Sequence, residues 1–555
     1  MIKKNDEFEL KITDLSDDGA GIGRNDGFIW FVKDAVIGDR ILAGATKVKK
    51  NYGFARLVRV LEPSPDRIAP ECPIARSCGG CQLQQLNYDA QLRFKSEKVL
   101  NDLKRIGGFE NAEKLFRSII GMPVPFRYRN KAIYPIRRNR EGRIIAGFFA
   151  GRTHSVIECE DCLLGIEENR KVLDIVIRFM ERQEIDPYDE INHRGTVRHV
   201  LIRKGFFTGE LMVCIVINAP DLKNAEELCR MLKEALPALR SFSLSINTEK
   251  TNVIMGTKLK HLLGPGYIED EIHEPDAAVR FRISPLSFFQ VNSVQMERLY
   301  RTALEYAGLT GKETVWDLYC GVGTISLFLA KHAAKVYGVE VIPEAIDNAR
   351  ENAELNGIRN AEFYVGKAEE VLPAWYEKEY ERSGERIDVI VVDPPRKGCD
   401  ENCLWTIVQI GPGRVVYVSC DPATLARDLK YLCANGYTLS RVQPVDMFPQ
   451  TVHVETVCLL SKLNAKQHIE INLDMDELDL TNAEKKATYQ EIKDYVLEHS
   501  GLKVSSLYIA QVKQQCGIIE RENYNKPKAK DAKQPQCPPD KEKAIREALK
   551  HFGMI

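Results

Sequence analysis

The second half of the chain repeats one device four times: a short run of strand-forming residues that stops in polar or glycine-rich chemistry. Thr314–Leu318 (T-V-W-D-L) runs into Tyr319-Cys320-Gly321-Val322-Gly323-Thr324, and Lys335–Val339 ends in Glu340. Asp388–Val392 ends in Asp393-Pro394-Pro395-Arg396-Lys397-Gly398, and Val415–Ser419 ends in Cys420-Asp421-Pro422. Such apolar runs, with a helix expected from about Ile325, predict buried strands in a doubly wound α/β unit over residues 270–463. Open sheets of this kind hold ligands at the carboxyl ends of their strands, so each stop is a candidate site.

The stops share a chemistry. A glycine-rich turn between strand and helix lets backbone approach a ligand closely, although G-x-G alone says little. Glu340 lies 23 residues after Asp317, where nucleotide-binding sheets place a carboxylate for ribose hydroxyls. Pro394 and Pro395 stiffen the loop after Asp393 and free its polar groups for a ligand. Any one of these acids could be a loop cap; together in one sheet they point to a nucleoside cofactor. No downstream G-x-x-x-x-G-K-[ST] follows, which argues against an NTPase. The missing third glycine makes an NAD enzyme the runner-up. Cys420 is presented to the same crevice at the tip of its strand, where a lone cysteine is by base rate a small packing residue.

The first half has a different texture. Residues 1–62 carry turn signals at Gly19–Gly23, Asp26-Gly27 and Val36–Asp39 around short apolar strands, which predicts a small β-barrel. Cys72, Cys78 and Cys81 follow within ten residues, the last two flanking Gly79-Gly80. Thiolates so spaced suit a soft metal, zinc or an iron–sulfur cluster, with Cys162 as fourth ligand and Cys159 as its rival. Residues 87–117 predict an amphipathic helix with Leu92, Val99, Leu100 and Leu103 on its apolar face. Between Gly121 and Arg152 stand eight basic residues (Arg127, Arg129, Lys131, Arg137, Arg138, Arg140, Arg143 and Arg152) against one acid, Glu141. With Tyr128, Tyr134, Phe148 and Phe149 interleaved, the segment suits RNA contact more than a merely solvated face. Strands at His199–Arg203, Leu211–Asn218 and Phe242–Asn247 and a helix at Leu222–Leu236 complete an α+β central domain over residues 63–269, with no chemistry evident in that last stretch.

Residues 464–555 predict a helical extension. A capping box at Thr481–Glu484 opens a helix to about His499, Ser505–Gln515 forms a second, and Lys541–Phe552 a third, with a proline-bearing linker over Asn523–Pro539. The first pair reads as a helix-turn-helix or as part of a docked bundle. The formal net charge of −1 gives no global sign of nucleic-acid binding. Without a signal-peptide core or a long apolar run, the chain is expected to be cytosolic, off the membrane and monomeric.

Several motifs together carry a resemblance. D-L-Y-C-G-V-G-T, Glu340 and D-P-P-R-K-G resemble a class I S-adenosylmethionine methyltransferase. F-F-Q-V-N (Phe288–Asn292), V-S-C-D-P-A-T-L-A-R-D-L (Val418–Leu429) and D-M-F-P-Q-T-V-H-V-E-T-V (Asp446–Val457) resemble the RNA uracil-5 methyltransferases. The barrel cues G-A-G-I-G-R and V-I-G-D-R resemble a TRAM domain, an OB-like RNA-binding module. With C-x5-C-G-G-C, the match over residues 7–463 is to the 23S rRNA branch. The resemblance implies a multidomain enzyme that methylates C5 of a uridine in 23S rRNA. It implies Cys420 as nucleophile, Glu455 as base, and Gln290, Tyr319, Glu340 and Asp393 around S-adenosylmethionine. It further implies a [4Fe–4S] cluster on Cys72, Cys78, Cys81 and Cys162. Cys320 and Cys399 do not match the nucleophile position, and Cys320 is read as packing. His453, two residues before Glu455, orients that site or is itself a base. Phe288 and Phe289 are core by base rate, or one of them stacks on a flipped uracil.

Overall fold

The computed structural model describes residues 2–151, 153–273, 278–384, 386–463, 489–516, 537–552 and 554. It divides into two units, Met1–Asn464 and Ala465–Ile555.

The first unit opens with β1 (Glu7–Leu15), β2 (Gly21–Asn25), β3 (Phe28–Lys33), β4 (Arg40–Val48) and β5 (Tyr52–Glu62). They close into a barrel in the order β1-β2-β3-β5-β4. Alternate residues point inward, so Leu10, Ile12, Trp30, Val32, Ile41 and Ala43 fill the lumen.

α1 (Tyr88–Arg105) starts where the Asn87 side chain accepts the Ala90 amide. It stops well short of residue 117, because Gly107 and Gly108 follow and Gly108 adopts φ +77°. Only a short 3₁₀ turn, Ala112–Leu115, continues it. Although α1 lies within the 63–269 stretch, Val99 and Leu103 pack in one core with Trp316 and Leu318 of the catalytic half.

The central sheet contains β6 (Lys131–Arg138), β7 (Ile144–Phe149), β8 (Val156–Glu158), β9 (Val197–Lys204), β10 (Leu211–Ile217), β11 (Leu239–Ile246) and β12 (Lys258–Leu263), in the order β12-β11-β10-β9-β6-β7-β8. α2 (Glu168–Arg182) and α3 (Ala225–Ala235) cover one face. Leu201, Met212 and Cys214 on the other face join the core beneath the catalytic sheet. β10 is therefore buried along its whole length, which explains its unbroken run L-M-V-C-I-V-I.

A hairpin of β13 (Ile268–His273) and β14 (Ala278–Ile283) and the buried helix α4 (Ser293–Ala307) lead into the doubly wound unit. Its elements are β15 (Thr314–Leu318), α5 (Thr324–Ala330), β16 (Lys335–Glu340), α6 (Pro343–Leu355), β17 (Ala361–Val365), α7 (Ala368–Ser383), β18 (Val389–Val392), α8 (Glu401–Ile410), β19 (Arg414–Ser419), α9 (Pro422–Ala434), β20 (Tyr437–Val445) and β21 (Glu455–Lys462). The order is β17-β16-β15-β18-β19-β21-β20. β15 to β19 run parallel, and β21 enters antiparallel between β19 and β20. The winding reverses direction beside β15, and that switch point opens a crevice at the strand ends.

The second unit contains α10 (Tyr489–Ser500), α11 (Ser506–Gln515) and α12 (Pro539–His551). Ile492, Val496, Ile509, Val512, Ile545 and Leu549 give the three helices a common core. The expected capping box at Thr481–Glu484 and most of the expected linker lie outside the described residues. No helix among the described residues is long and apolar enough to cross a membrane.

Candidate active site

The strand ends of the doubly wound unit surround a cavity of about 890 Å³. Gln290, Tyr319, Glu340, Asp393, Cys420 and Glu455 all line it. Chain segments separated by more than 160 residues thus meet at one place, as the switch point of the sheet requires.

The turn after β15 is tightly constrained. Tyr319 takes φ +69°, a left-handed conformation that is strained for a bulky side chain, and Gly321 and Gly323 take +55° and +81°. The Tyr319 amide donates to the Val339 carbonyl at 3.0 Å. Glu340, at the end of β16, accepts the Val341 and Ile342 amides on Oε1 at 2.8 and 3.1 Å. Its Oε2 accepts the Gly321 amide at 3.3 Å. Three backbone donors therefore fix the carboxylate across both turns, with lone pairs left for a ligand. Asp317, one residue before the end of β15, is buried and accepts Ser326 Oγ at 2.5 Å. Gln290 is buried just before α4, and the Asn130 side chain holds its carbonyl at 2.9 Å.

Cys420 and Glu455 meet by register. Ser419 of β19 faces Thr456 of β21, and one further step of the same antiparallel register sets Cys420 opposite Glu455. Directly opposed side chains share a face, with Cβ atoms about 4.5–5.5 Å apart. The electrostatics agree with this closeness. Burial pushes the Cys420 thiol up to about 11, with the Glu455 and Asp393 carboxylates adding to the rise and Arg396 opposing it. Burial likewise raises Glu455 to about 8, again with Asp393 adding and Arg396 opposing. Asp393 is raised to about 7 by burial. The site thus groups a thiol and two carboxyls of raised pKa, with the Arg396 guanidinium opposing the rise at Cys420 and Glu455.

The loop that delivers Glu455 is clamped from several sides. Lys95 Nζ on α1 donates to Asp446 Oδ1 at 2.5 Å and to the Phe448 carbonyl at 2.9 Å. The Tyr88 hydroxyl donates to Asp446 Oδ2 at 2.8 Å, and the Gln91 side chain donates to Gln450 Oε1 at 3.0 Å. Gln450, with φ +69°, accepts the Gln82 and Leu83 amides on its carbonyl, each at 3.0 Å. Phe448, held in this loop, lines the cavity. His453 does not line it; its ring meets Phe448 edge-on, 6.3 Å between centroids. Phe289 is buried against Phe281, whereas Phe288 is 70% exposed at the cavity wall. Cys320 and Cys399 are buried outside the cavity lining.

Arg129, Arg396 and Phe448 also line the cavity, and the sequence reading gave none of them a role there. Arg396 and Phe448 lie inside quoted motifs, so adjacency was their available signal. Arg129 was counted among the charges of the basic segment.

A second cavity, of about 450 Å³, is lined by Cys72, Cys78, Cys81, Cys159 and Cys162. The Cys159 thiol and the Leu164 and Gly165 amides hold Cys162 down to about 6, against its burial, whereas burial pushes Cys81 up to about 12. Among the described residues, however, no three His, Cys, Asp or Glu side chains are gathered closely enough to hold a metal ion. A tetrahedral zinc would need four sulfurs about 2.3 Å from one point, and the thiols are not gathered in that way. Five thiols lining one cavity are nonetheless the donor chemistry that an iron–sulfur cluster would take.

The basic segment is less free than its composition suggested. Arg127 pairs with Asp161 at 2.7 Å, Arg138 with Asp186 at 2.6 Å, Arg137 with Glu190 at 3.3 Å and Arg143 with Glu158 at 3.4 Å. All four acids lie outside the 121–152 window, where a local count could not find them.

The family described as tRNA (Uracil-5-)-methyltransferase matches residues 88–463, and the TRAM domain matches residues 3–58. The chain belongs to the tRNA (uracil-5-)-methyltransferase family. An uncharacterized RNA methyltransferase of Halalkalibacterium halodurans is 50% identical over 463 residues, covering 83% of this chain and 98% of its own length. One from Clostridium acetobutylicum is 46% identical with the same coverage. Among solved structures, the tRNA (uracil-54, C5)-methyltransferase of Pyrococcus abyssi, in complex with S-adenosyl-L-homocysteine, has a TM-score of 0.65 at 31% identity. It covers 82% of this chain and 100% of its own. The family description and this neighbour both name tRNA, whereas the bacterial relatives are named only as RNA methyltransferases.

Proposed function

We propose that the protein transfers the methyl group of S-adenosylmethionine to C5 of a uridine in structured RNA through a covalent adduct. The observation that carries this reading is the single cavity lined by Cys420, Glu455 and the strand-end residues Tyr319, Glu340 and Asp393. C5 of uracil is a poor nucleophile toward a methyl sulfonium. Addition of the Cys420 thiolate at C6 makes C5 an enolate carbon that can attack the methyl group. Glu455 then takes the C5 proton, the C5–C6 double bond re-forms and the thiolate leaves. Gln290, Tyr319, Glu340 and Asp393 hold S-adenosylmethionine, Glu340 at the ribose hydroxyls. Phe288, exposed at the cavity wall, offers a face on which a flipped base can stack.

The first substrate reading is 23S rRNA, on the resemblance of the barrel and cysteine motifs. The likeness to the Pyrococcus abyssi enzyme favours tRNA as the second. Cys72, Cys78, Cys81 and Cys162 hold a [4Fe–4S] cluster in this reading, tying the N-terminal segment to the end of β7, where Cys78 already bridges Ala150. Anaerobic purification followed by counting of iron, sulfide and zinc tests it; one zinc and no sulfide overturns it.

The deciding experiment offers labelled S-adenosylmethionine with unmodified 23S rRNA and, separately, unmodified tRNA, and maps the labelled nucleotide. Label on uridine C5 of one RNA names the substrate. RNA that binds without acquiring label rejects the methyl-transfer reading.

A further inference from the structure

The central sheet carries a pocket that the methyl-transfer chemistry does not use. It encloses about 420 Å³, within the range of small-ligand sites, and shares no lining residue with the catalytic cavity. Its floor is His199, on β9, 6% exposed. The ring atom Nδ1 is buried and has no hydrogen-bond partner among the described residues, and the same holds for Arg198 Nε. Burial, with Arg137 and Arg198 nearby, holds His199 down to about 3, so the imidazole is neutral and offers one donor and one acceptor.

The walls interleave cations with aromatic rings. β6 pairs Pro135 with His199, so Arg137, two residues on, lies on the same sheet face as the imidazole. Its guanidinium lies over the Phe149 ring at 5.9 Å. Arg198 stacks on Tyr188 at 4.4 Å and pins the next wall by donating to the Asn247 and Glu249 carbonyls at 2.8 and 2.9 Å. That wall carries Lys250. Glu190 is the one acid in the lining and reaches Arg137 and His154 at 3.3 and 3.0 Å. A flat ring face, a buried polar floor and several cations against one acid match a nucleobase and its phosphate. β6 links the two sites: Arg129, two residues before its start, lines the catalytic cavity, and Arg137 lies near its end. An extended strand over that span covers about 26 Å.

We propose that this pocket is a second RNA site, taking one unpaired nucleotide of the same RNA whose uridine enters the catalytic cavity. The base lies against Phe149 over His199, with its phosphate toward Arg137 and Lys250. The proposal rests on the RNA-methylation reading for its substrate class.

The test measures binding of full-length protein to unmodified 23S rRNA and tRNA by fluorescence anisotropy, wild type against Arg137→Gln, Phe149→Leu and His199→Phe. Folding is checked by thermal melting; if His199→Phe does not fold, the other two variants decide. Each folded variant is expected to lose about five- to tenfold in affinity for the substrate RNA. Arg137→Gln should also lower the slope of log affinity against log salt by about one. In turnover the loss should appear in KM, with kcat within about twofold. Unchanged affinity in the folded variants overturns the proposal, as does wild-type protein that binds neither RNA. Competition by free 5′-UMP or 5′-AMP, with RNA binding indifferent to the variants, would make this a free-nucleotide pocket and overturn the RNA assignment. RNA that binds through the pocket but acquires no methyl would sink the methylation reading and leave this one standing. RNA methylated equally well by wild type and all variants would do the reverse.

Discussion

The chain builds two seven-stranded sheets that share a core and display their chemistry in opposite ways. In the catalytic sheet, parallel strands stop together at one edge, so the residue after each strand faces a common crevice. In the central sheet, mixed strands present polar groups from their faces and from long loops. Arg137, Tyr188, Arg198, His199 and Lys250 converge there from four separate stretches of chain. Parallel topology concentrates function at strand ends; mixed topology disperses it.

The sharpest way to break the comparison is at Cys420. Cys420→Ala should abolish methylation while RNA affinity stays within a few-fold, because the proposed mechanism asks the thiol for the covalent bond and the central domain for RNA binding. Residual turnover in labelled-methyl assays would remove Cys420 from the nucleophile role. Glu455→Gln should cut turnover by about 10²- to 10⁴-fold and let an enzyme–RNA adduct accumulate, visible as a shifted band on a denaturing gel. No such band would remove Glu455 as the base.

Away from the chemistry, Lys95→Met leaves Asp446 buried without its cation and should cost about 3–5 kcal/mol of stability, read by urea unfolding. A loss near zero would mean that the loop before β21 is held by its backbone contacts alone. The pH dependence is smaller per step. A base raised to about 8 must lose its proton to act, and so must the Cys420 thiol raised to about 11, so kcat/KM should rise steeply with pH below 8 and continue to rise, less steeply, above it. A flat profile between pH 6 and 8 would place the controlling group elsewhere. The central-pocket variants should give the smallest effect, confined to KM, and a kcat change of similar size would erase the division of labour between the sheets.

The same contrast explains what could be read from the sequence. The strands from Thr314 to Ser419 were legible because apolar runs and abrupt polar stops alternate over short distances. Tyr319, Glu340, Asp393 and Cys420 were visible as those stops. The extent of α1 was overread, because apolar spacing continued past a Gly-Gly pair that ends the helix. Its docking on the catalytic sheet was invisible, since Val99 and Trp316 are linked by packing and by no local pattern. The arginines of residues 121–152 looked free because their acids stand elsewhere in the chain. The His199 pocket was missed for a related reason: β9 reads as an ordinary strand, and nothing in V-R-H-V-L-I-R-K shows that one ring nitrogen is left without a partner.

The insertion of β21 between β19 and β20 also bears on assembly. The strand that opens with Glu455 is the last strand of its unit to be synthesised, yet it occupies an interior place in the sheet. β19 and β20 must leave a gap until it arrives, and Cys420 does not face Glu455 before then. On the proposed mechanism, a nascent chain that has completed its barrel and central sheet is still chemically inert, and competence arrives as the final strand is seated.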